Sequence, residues 1–448
     1  MSMKAQSAIA TMTEEEKAAL APDREELLKK PSAVADRWPA PLASAAFHGL
    51  PGDIVRTIEP HTEADPVALL IQMLVAFGNA IGRNAYYQVE ADQHYANIYV
   101  VLVGNTSKGR KGTSKSHVMR LMRSVDEQWA TERAVSGLSS GEGLIWAVRD
   151  LIEKQEAIKE NSRVTGYRMV TDDPGIEDKR LLVTESELAS TLRVLGRDGN
   201  TLSAVVRDAW DHGNLRTLVK NSPAKATDAH ISIIGHITAT ELLRYLDNTE
   251  AANGFANRFL WVCVRRSKCL PEGGNIEAEN FDLITRRLKQ ALDFARVAGR
   301  LKWSAEARES WYKVYPNLSD GQPGLLGAVT GRAEAQVVRL ALLYALLDCS
   351  PEIRQAHLAA ALAIWDYCDE SVFTIFGDRM GDPIADEILA ALRSSGRGLT
   401  RTQISGLFNR HAKAERISQA LDLLSRQGKI RPDSIGTDGR TAECWYAV

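Results

Sequence analysis

The stretch NIYVVLVGNTSKGRKGTS, residues 97–114, joins an unbroken, largely β-branched run to a basic loop that carries glycine. A near-continuous apolar run of this length fits a strand buried on both faces. Residues 115–130 then resume a helical pattern. Strand, loop and helix in that order are what a phosphate-binding loop requires. Small residues let backbone N–H groups turn inward, the helix N-terminus adds positive potential, and a lysine neutralises the outer phosphates. The spacing departs from GxxxxGK[ST]: counting from Gly104, the second glycine is Gly109, Arg110 intervenes before Lys111, and Gly112 follows the lysine. The loop is therefore expected to wrap the phosphates of ATP with Gly104, Asn105, Thr106, Ser107, Lys108, Gly109, Arg110, Lys111, Gly112, Thr113 and Ser114. Lys111 is assigned to the outer phosphates and Thr113 to phosphate or Mg²⁺; a solvated basic turn is the bland alternative.

Outward from the loop, three further runs read as buried strands: RLLVTES (180–186), HISIIGHIT (230–238) and NRFLWVCVRR (257–266). Helical stretches separate them, which predicts an α/β domain with a mainly parallel sheet. Upstream, residues 47–83 read as helix, with Asp65-Pro66 supplying a cap and a first-turn proline. Residues 280–376 read as wholly helical, and 150–179 as a polar insertion. The strand at 180–186 ends in acid. Glu185, with Glu187 second, is placed to hold Mg²⁺ or polarise an attacking water, against the plain reading of two solvated glutamates.

The stretches PHTEADPVALL (60–70), GNTSKGRKGTS (104–114), SGLSSGEGLIWAVRD (136–150), GNTLSAVVRDAWD (199–211), AHISIIGHIT (229–238), NGFANRFLW (253–261) and GRAEAQVVRLALLYALLD (331–348) together resemble a family of prophage and plasmid P-loop proteins linked to primase-associated helicases. That family is more distantly similar to AAA+ replicative helicases of the MCM-like and superfamily 3 kinds. The resemblance implies a P-loop NTPase core of AAA+ or RecA-like type with a helical lid. It also implies three roles: Arg258 as an arginine finger reaching a neighbour's nucleotide in a ring, Arg332 as the second sensor of the lid with Arg339 behind it, and His236 at the first-sensor position. Residues 210–230 alternate around a polar KNSPAK tip, a pattern similar to the pore hairpin of hexameric helicases. Lys220 and Lys225 would there meet single-stranded DNA phosphates.

The segment 381–448 predicts three short helices and a two-stranded hairpin, the pattern of a winged helix-turn-helix. It carries ten Lys and Arg against eight Asp and Glu, a net of +2. Arg401, Arg416 and Arg440 lead its candidate DNA contacts, with Arg410, Lys413 and Arg426 also available. Many such modules bind protein instead.

The 448 residues have a net charge of -2, so any nucleic-acid surface must be a local patch. The five cysteines are scattered without a CxxC pair, which argues against a zinc site or a disulfide framework. No apolar run is long enough for a bilayer span, and the expected setting is cytoplasmic. The expected layout is a flexible leader (1–45), a helical segment (46–94), the ATPase core (95–279), a helical lid (280–380) and the winged-helix domain (381–448). An ATP-driven oligomeric DNA helicase or translocase of mobile-element replication is the leading expectation. The alternative is a nucleotide-gated DNA-binding initiator or regulator. No primase catalytic domain is visible, so a primase or polymerase partner would be a separate chain.

Overall fold

The apolar runs do become strands, and their order fixes the architecture. The computed structural model describes residues 38–448 except 106–108, 161, 198, 219–223, 247–249, 251–252, 322–323, 378–379, 381, 410 and 438–439. The described chain falls into two compact units, one of residues 38–322 and 326–377, the other of 323–325 and 378–448.

In the larger unit, α1 (Gly49–Ile58) leads through a short 3₁₀ turn to α2 (Pro66–Ile81). The Asp65 carboxylate accepts from Val67 N and Pro66 takes the first turn, as the sequence predicts. A hairpin of β1 (Tyr86–Val89) and β2 (Asp92–Tyr95) precedes β3 (Tyr99–Val103), whose five residues are all buried. The loop passes into α3 (Lys111–Val125) and then β4 (Ala134–Val135). After α4 (Gly141–Trp146), the polar insertion forms a two-stranded antiparallel hairpin, β5 (Ile152–Glu160) and β6 (Arg163–Asp173). Then come β7 (Arg180–Glu185), α5 (Leu188–Leu195), α6 (Leu202–Asp211), the short pair β8 (Leu215–Arg216) and β9 (Lys225–Ala226), and β10 (His230–Ile237). α7 (Ala239–Tyr245) and β11 (Phe259–Cys263) follow.

The central sheet has five strands in the order β11-β3-β10-β7-β4, and every neighbouring pair is parallel. The fold is thus mixed α/β. Beyond the sheet lie α8 (Ala278–Ala295), β12 (Arg300–Leu301), α9 (Ala305–Ser319), α10 (Gly324–Thr330), α11 (Ala333–Leu347) and α12 (Gln355–Phe376). β12 pairs with β1, so the region expected to be wholly helical holds one short strand.

One apolar core joins what the sequence divides into three segments. Leu70, Leu74 and Phe77 of α2, Val100 and Leu102 of β3, Leu288 of α8, Leu343 of α11 and Ile364 of α12 all belong to it. Residues 46–94, 280–321 and 326–377 therefore pack as parts of the sheet-bearing unit. Buried polar groups stitch the layers: Asn79 donates to the carbonyls of Leu181 and His230 and accepts from Trp129 Nε1. Such satisfied amides are how a core tolerates polar side chains.

The smaller unit contains α13 (Pro383–Ser395), β13 (Leu399–Thr400), α14 (Arg401–Leu407), α15 (Ala414–Arg426), β14 (Ile430–Thr437) and β15 (Arg440–Ala447). Its strands form an antiparallel sheet in the order β13-β15-β14. Thr400 caps α14 in a box with Gln403. Leu392, Ile404, Leu421, Ile430 and Trp445 belong to its own core. Among the described residues, no helix is long and apolar enough to cross a membrane.

Candidate functional site

The C-terminal ends of the parallel strands, where ligands of such sheets bind, bring the loop, an acid and a histidine to one edge. Gly104 follows β3, and its N–H donates to Ile237 O at the end of β10. A Cβ at Gly104 would lie 2.3 Å from Val264 O, beyond the end of β11, so only glycine lets the chain leave the sheet there. Thr106, Ser107 and Lys108 lie outside the described residues.

Arg110 is the residue in excess of the usual spacing, and its backbone adopts φ 51°. Its Nε lies 2.6 Å from Glu63 Oε2, while Glu63 Oε1 is bonded by Arg266. Arg110 is thus turned onto Glu63, and the extra residue is absorbed as a left-handed kink just before α3.

Lys111 begins that helix. Its ammonium donates to Gly104 O (2.9 Å), Asn105 O (3.0 Å) and Ile237 O (3.1 Å). An ammonium has three donors, so all are engaged by carbonyls at the ends of β3 and β10. Burial lowers its pKa, partly offset by Glu241. Gly112 and Thr113 are exposed and line an open cleft of about 660 Å³ with Lys115, Ser116, His117, Arg120 and Ser186. Lys115 Nζ reaches across to Ser186 Oγ at 3.3 Å, tying α3 to the end of β7.

Ser114 is placed differently from its expected role. It is fully buried, donates to Lys111 O (2.7 Å) and accepts from Gln72 Nε2 (2.6 Å). Its hydroxyl is spent inside the protein, which leaves Thr113 as the exposed hydroxyl of this turn. Gln72 also donates to Ala68 O, and its Oε1 accepts from His236 Nε2 at 3.1 Å. His236 is buried and its pKa falls to about 3, first through burial and then through Lys115 and Lys111. It is a neutral imidazole whose Nε2 carries the proton. His236 is therefore wired to the first turn of α3 through Gln72, a residue the sequence reading missed. The available signal was a lone amide in the apolar run LLIQMLVAF.

Glu185 ends β7 and is buried; its Oε1 accepts from Gly137 N (2.6 Å) and Leu138 N (2.7 Å). Glu187 is exposed at the start of α5.

Arg258 and Arg332 are not at this edge. Arg258 immediately precedes β11, whose Phe259 pairs with Tyr99 at the opposite end of β3 from the loop. Its Nη2 bonds Asp211 Oδ2 at 2.5 Å, and Arg332 Nη1 lies 3.3 Å from Asp211 Oδ1. The resemblance implies that Arg332 is the second sensor of the helical lid. Its partner here is Asp211, and α11 packs beside the N-terminal end of β3, where Arg339 Nη1 donates to Asn97 O.

Of the expected DNA contacts, Lys220 lies outside the described residues. Lys225 is exposed and lines a 380 Å³ cleft with His212, Asn214, Arg216 and Thr227 at the root of the β8–β9 pair. Asp150 braces that root by accepting from Thr227 N and Oγ1 and from Lys179. In the smaller unit, Arg401 donates to Ser418 Oγ and Arg416 pairs with Asp382 at 2.9 Å. Arg440 is placed by its backbone alone, as the first residue of β15.

One group of potential metal ligands occurs among the described residues: His48, Asp348 and His357. The Arg354 N–H donates to His357 Nδ1, so Nε2 is the donor that faces Asp348 Oδ2. With His48 Nε2 on the same oxygen, the trio is a hydrogen-bonded staple.

No protein-family model matches the chain, and no curated protein matches it.

Proposed function

We propose that the chain is an ATP-driven oligomeric motor acting on DNA, a P-loop NTPase of the AAA+ or RecA-like kind with a C-terminal winged helix-turn-helix. One observation carries the reading: Lys111, at the start of α3, lies across the ends of β3 and β10, with buried Glu185 ending the next strand, β7. Phosphate binding exchanges the carbonyl partners of Lys111 for phosphate oxygens. The exposed Thr113 hydroxyl and Glu185 would hold Mg²⁺, which would neutralise charge developing on the phosphates. Water attacks the γ-phosphorus and the bond to the bridging oxygen breaks, so ADP and inorganic phosphate leave and the water's proton passes to a phosphate oxygen; Glu185 orients that water. The cleft at Lys225 and Arg216 supports contact with the DNA backbone, as does the helical unit with its three-stranded sheet.

A second reading, a nucleotide-gated DNA-binding initiator or regulator, is favoured by the two backbone N–H groups on Glu185 Oε1. Those two donors commit Oε1 to the backbone, so that oxygen is not offered to an attacking water. ATPase rate measured with and without single-stranded DNA, alongside mass in ATP, separates the two. DNA-stimulated turnover that is lost in Lys111→Ala is the expected result for a motor. ATP-dependent assembly on duplex DNA with negligible turnover would select the switch, and failure of the intact chain to bind ATP would dismiss both.

A further inference from the structure

The β5–β6 hairpin carries paired charges on one face and apolar side chains on the other. Its register sets Glu153 opposite Thr171, Gln155 opposite Met169, Ala157 opposite Tyr167 and Lys159 opposite Val164. Directly opposed residues share a face. The bulge between Ile158 and Lys159 brings Val164 onto the face of Tyr167 and Met169, although three residues separate it from Tyr167. On the other face Lys154 pairs with Asp172, and Glu156 with Arg168 at 2.7 Å. That face is neutralised within the hairpin.

The apolar face is bare. Met169 is 55% exposed, Tyr167 67% and Val164 50%. A two-stranded hairpin is marginally stable by itself, and contiguous apolar surface marks a contact. Charge decides what kind. Residues 152–173 hold four Lys and Arg against five Asp and Glu, a net of -1, so the arm has no pull on DNA phosphates or on an anionic lipid surface. The charges on the apolar face are Glu153 near one end and Lys159 near the other, both exposed. Neither makes an ion pair among the described residues.

Turned end for end, this face complements itself. Reversal about the level of Glu156 sends Glu153 to Lys159, Gln155 to Ala157, Met169 to Tyr167 and Thr171 to Val164. We propose that the face is a contact between two copies of this chain, packed face to face about a twofold axis that crosses the strands level with Glu156. Each β5 then lies antiparallel over its counterpart, and Glu153 of either copy meets Lys159 of the other. Each Tyr167 ring meets the Met169 thioether of the other copy, a favourable sulfur–aromatic contact. The same surface serves both copies, so the contact closes at two. Eight residues a side, against roughly 20–30 in a standard interface, make it a weak and reversible pairing.

The test is sedimentation of the full-length chain over a concentration series that reaches hundreds of micromolar. Nucleotide is left out, so the result is independent of the ATP-binding reading. A monomer–dimer equilibrium is expected. Glu153→Lys or Lys159→Glu alone sets like charges together at both ends of the contact and should raise the dissociation constant about tenfold. An equal mixture of these two variants should recover wild-type pairing, and so should the chain carrying both substitutions, because each arrangement again opposes unlike charges. Tyr167→Ser should weaken pairing in every background. All of these positions are on the surface, and circular dichroism matched to the wild type confirms folding. A wild type that stays monomeric throughout the series overturns the proposal. So does a dimer indifferent to the charge reversals and to Tyr167→Ser, or one that the reversals weaken and the mixture does not restore. If Tyr167→Ser leaves the mass unchanged but abolishes binding to single-stranded DNA or to phosphatidylserine vesicles, the face belongs to that ligand and the proposal fails.

Discussion

Replacing Gln72 with leucine tests the connection between β10 and the first turn of α3. The amide makes three side-chain hydrogen bonds in the core, to Ala68 O (3.0 Å), Ser114 Oγ (2.6 Å) and His236 Nε2 (3.1 Å). Their loss is unequal. Ala68 O keeps its helical partner, and Ser114 Oγ still donates to Lys111 O. His236 Nε2–H loses its acceptor where the residue is only 3% exposed. An orphaned buried donor costs about 1–3 kcal/mol and the lost bond to Ser114 adds ~1 kcal/mol, while Ala68 O keeps its helical partner, so the substitution should cost about 2–4 kcal/mol. Against a typical stability of roughly 5–15 kcal/mol that is a large fraction.

Urea unfolding followed by tryptophan fluorescence reads this well, because the nine tryptophans include only Trp445 outside residues 38–377. The same cost should shrink in a His236→Phe background, where no donor is orphaned, with a coupling of about 1–2 kcal/mol. Nucleotide affinity should fall as well, since Ser114 loses the bond that fixes the turn carrying Lys111. A cost below ~0.5 kcal/mol, or strict additivity with His236→Phe, would refute the reasoning.

Three other outcomes follow from the same geometry. His230 and His236 are both held neutral, their pKa values pushed down to about 3 by burial. Between that value and the ordinary 6.5 the unfolded chain binds protons that the folded chain refuses, so stability falls as pH drops through this window. Each histidine should remove about 2 kcal/mol between pH 7 and pH 5, and His236→Phe should abolish its share of the pH slope in unfolding midpoints. Gly104→Ala would put a methyl 2.3 Å from Val264 O, so it should lower thermal stability and nucleotide affinity together; unchanged values for both would contradict the close approach. In the smaller unit, joint Arg401→Ala and Lys413→Ala should weaken duplex DNA binding uniformly across sequences and reduce the slope of log affinity on log salt by about 2. An unchanged slope would assign that unit to a protein partner.

The strands and the loop were legible because their signal is local: a run such as YVVLV buries every residue and ends at a glycine. The insertion at 150–179 was legible only as polar. Its alternation is masked by charge pairs such as Lys154–Asp172 and Glu156–Arg168, which face solvent and leave no apolar period to read. The site's connections were hidden for another reason. Gln72 meets Ser114 across 42 residues and His236 across 164, and Glu63 meets Arg266 across 203. No window of sequence contains both partners. Ser114 was legible as part of the motif, but its burial was not, because the helix phase that turns it inward depends on where α3 starts. That start is set by the kink at Arg110.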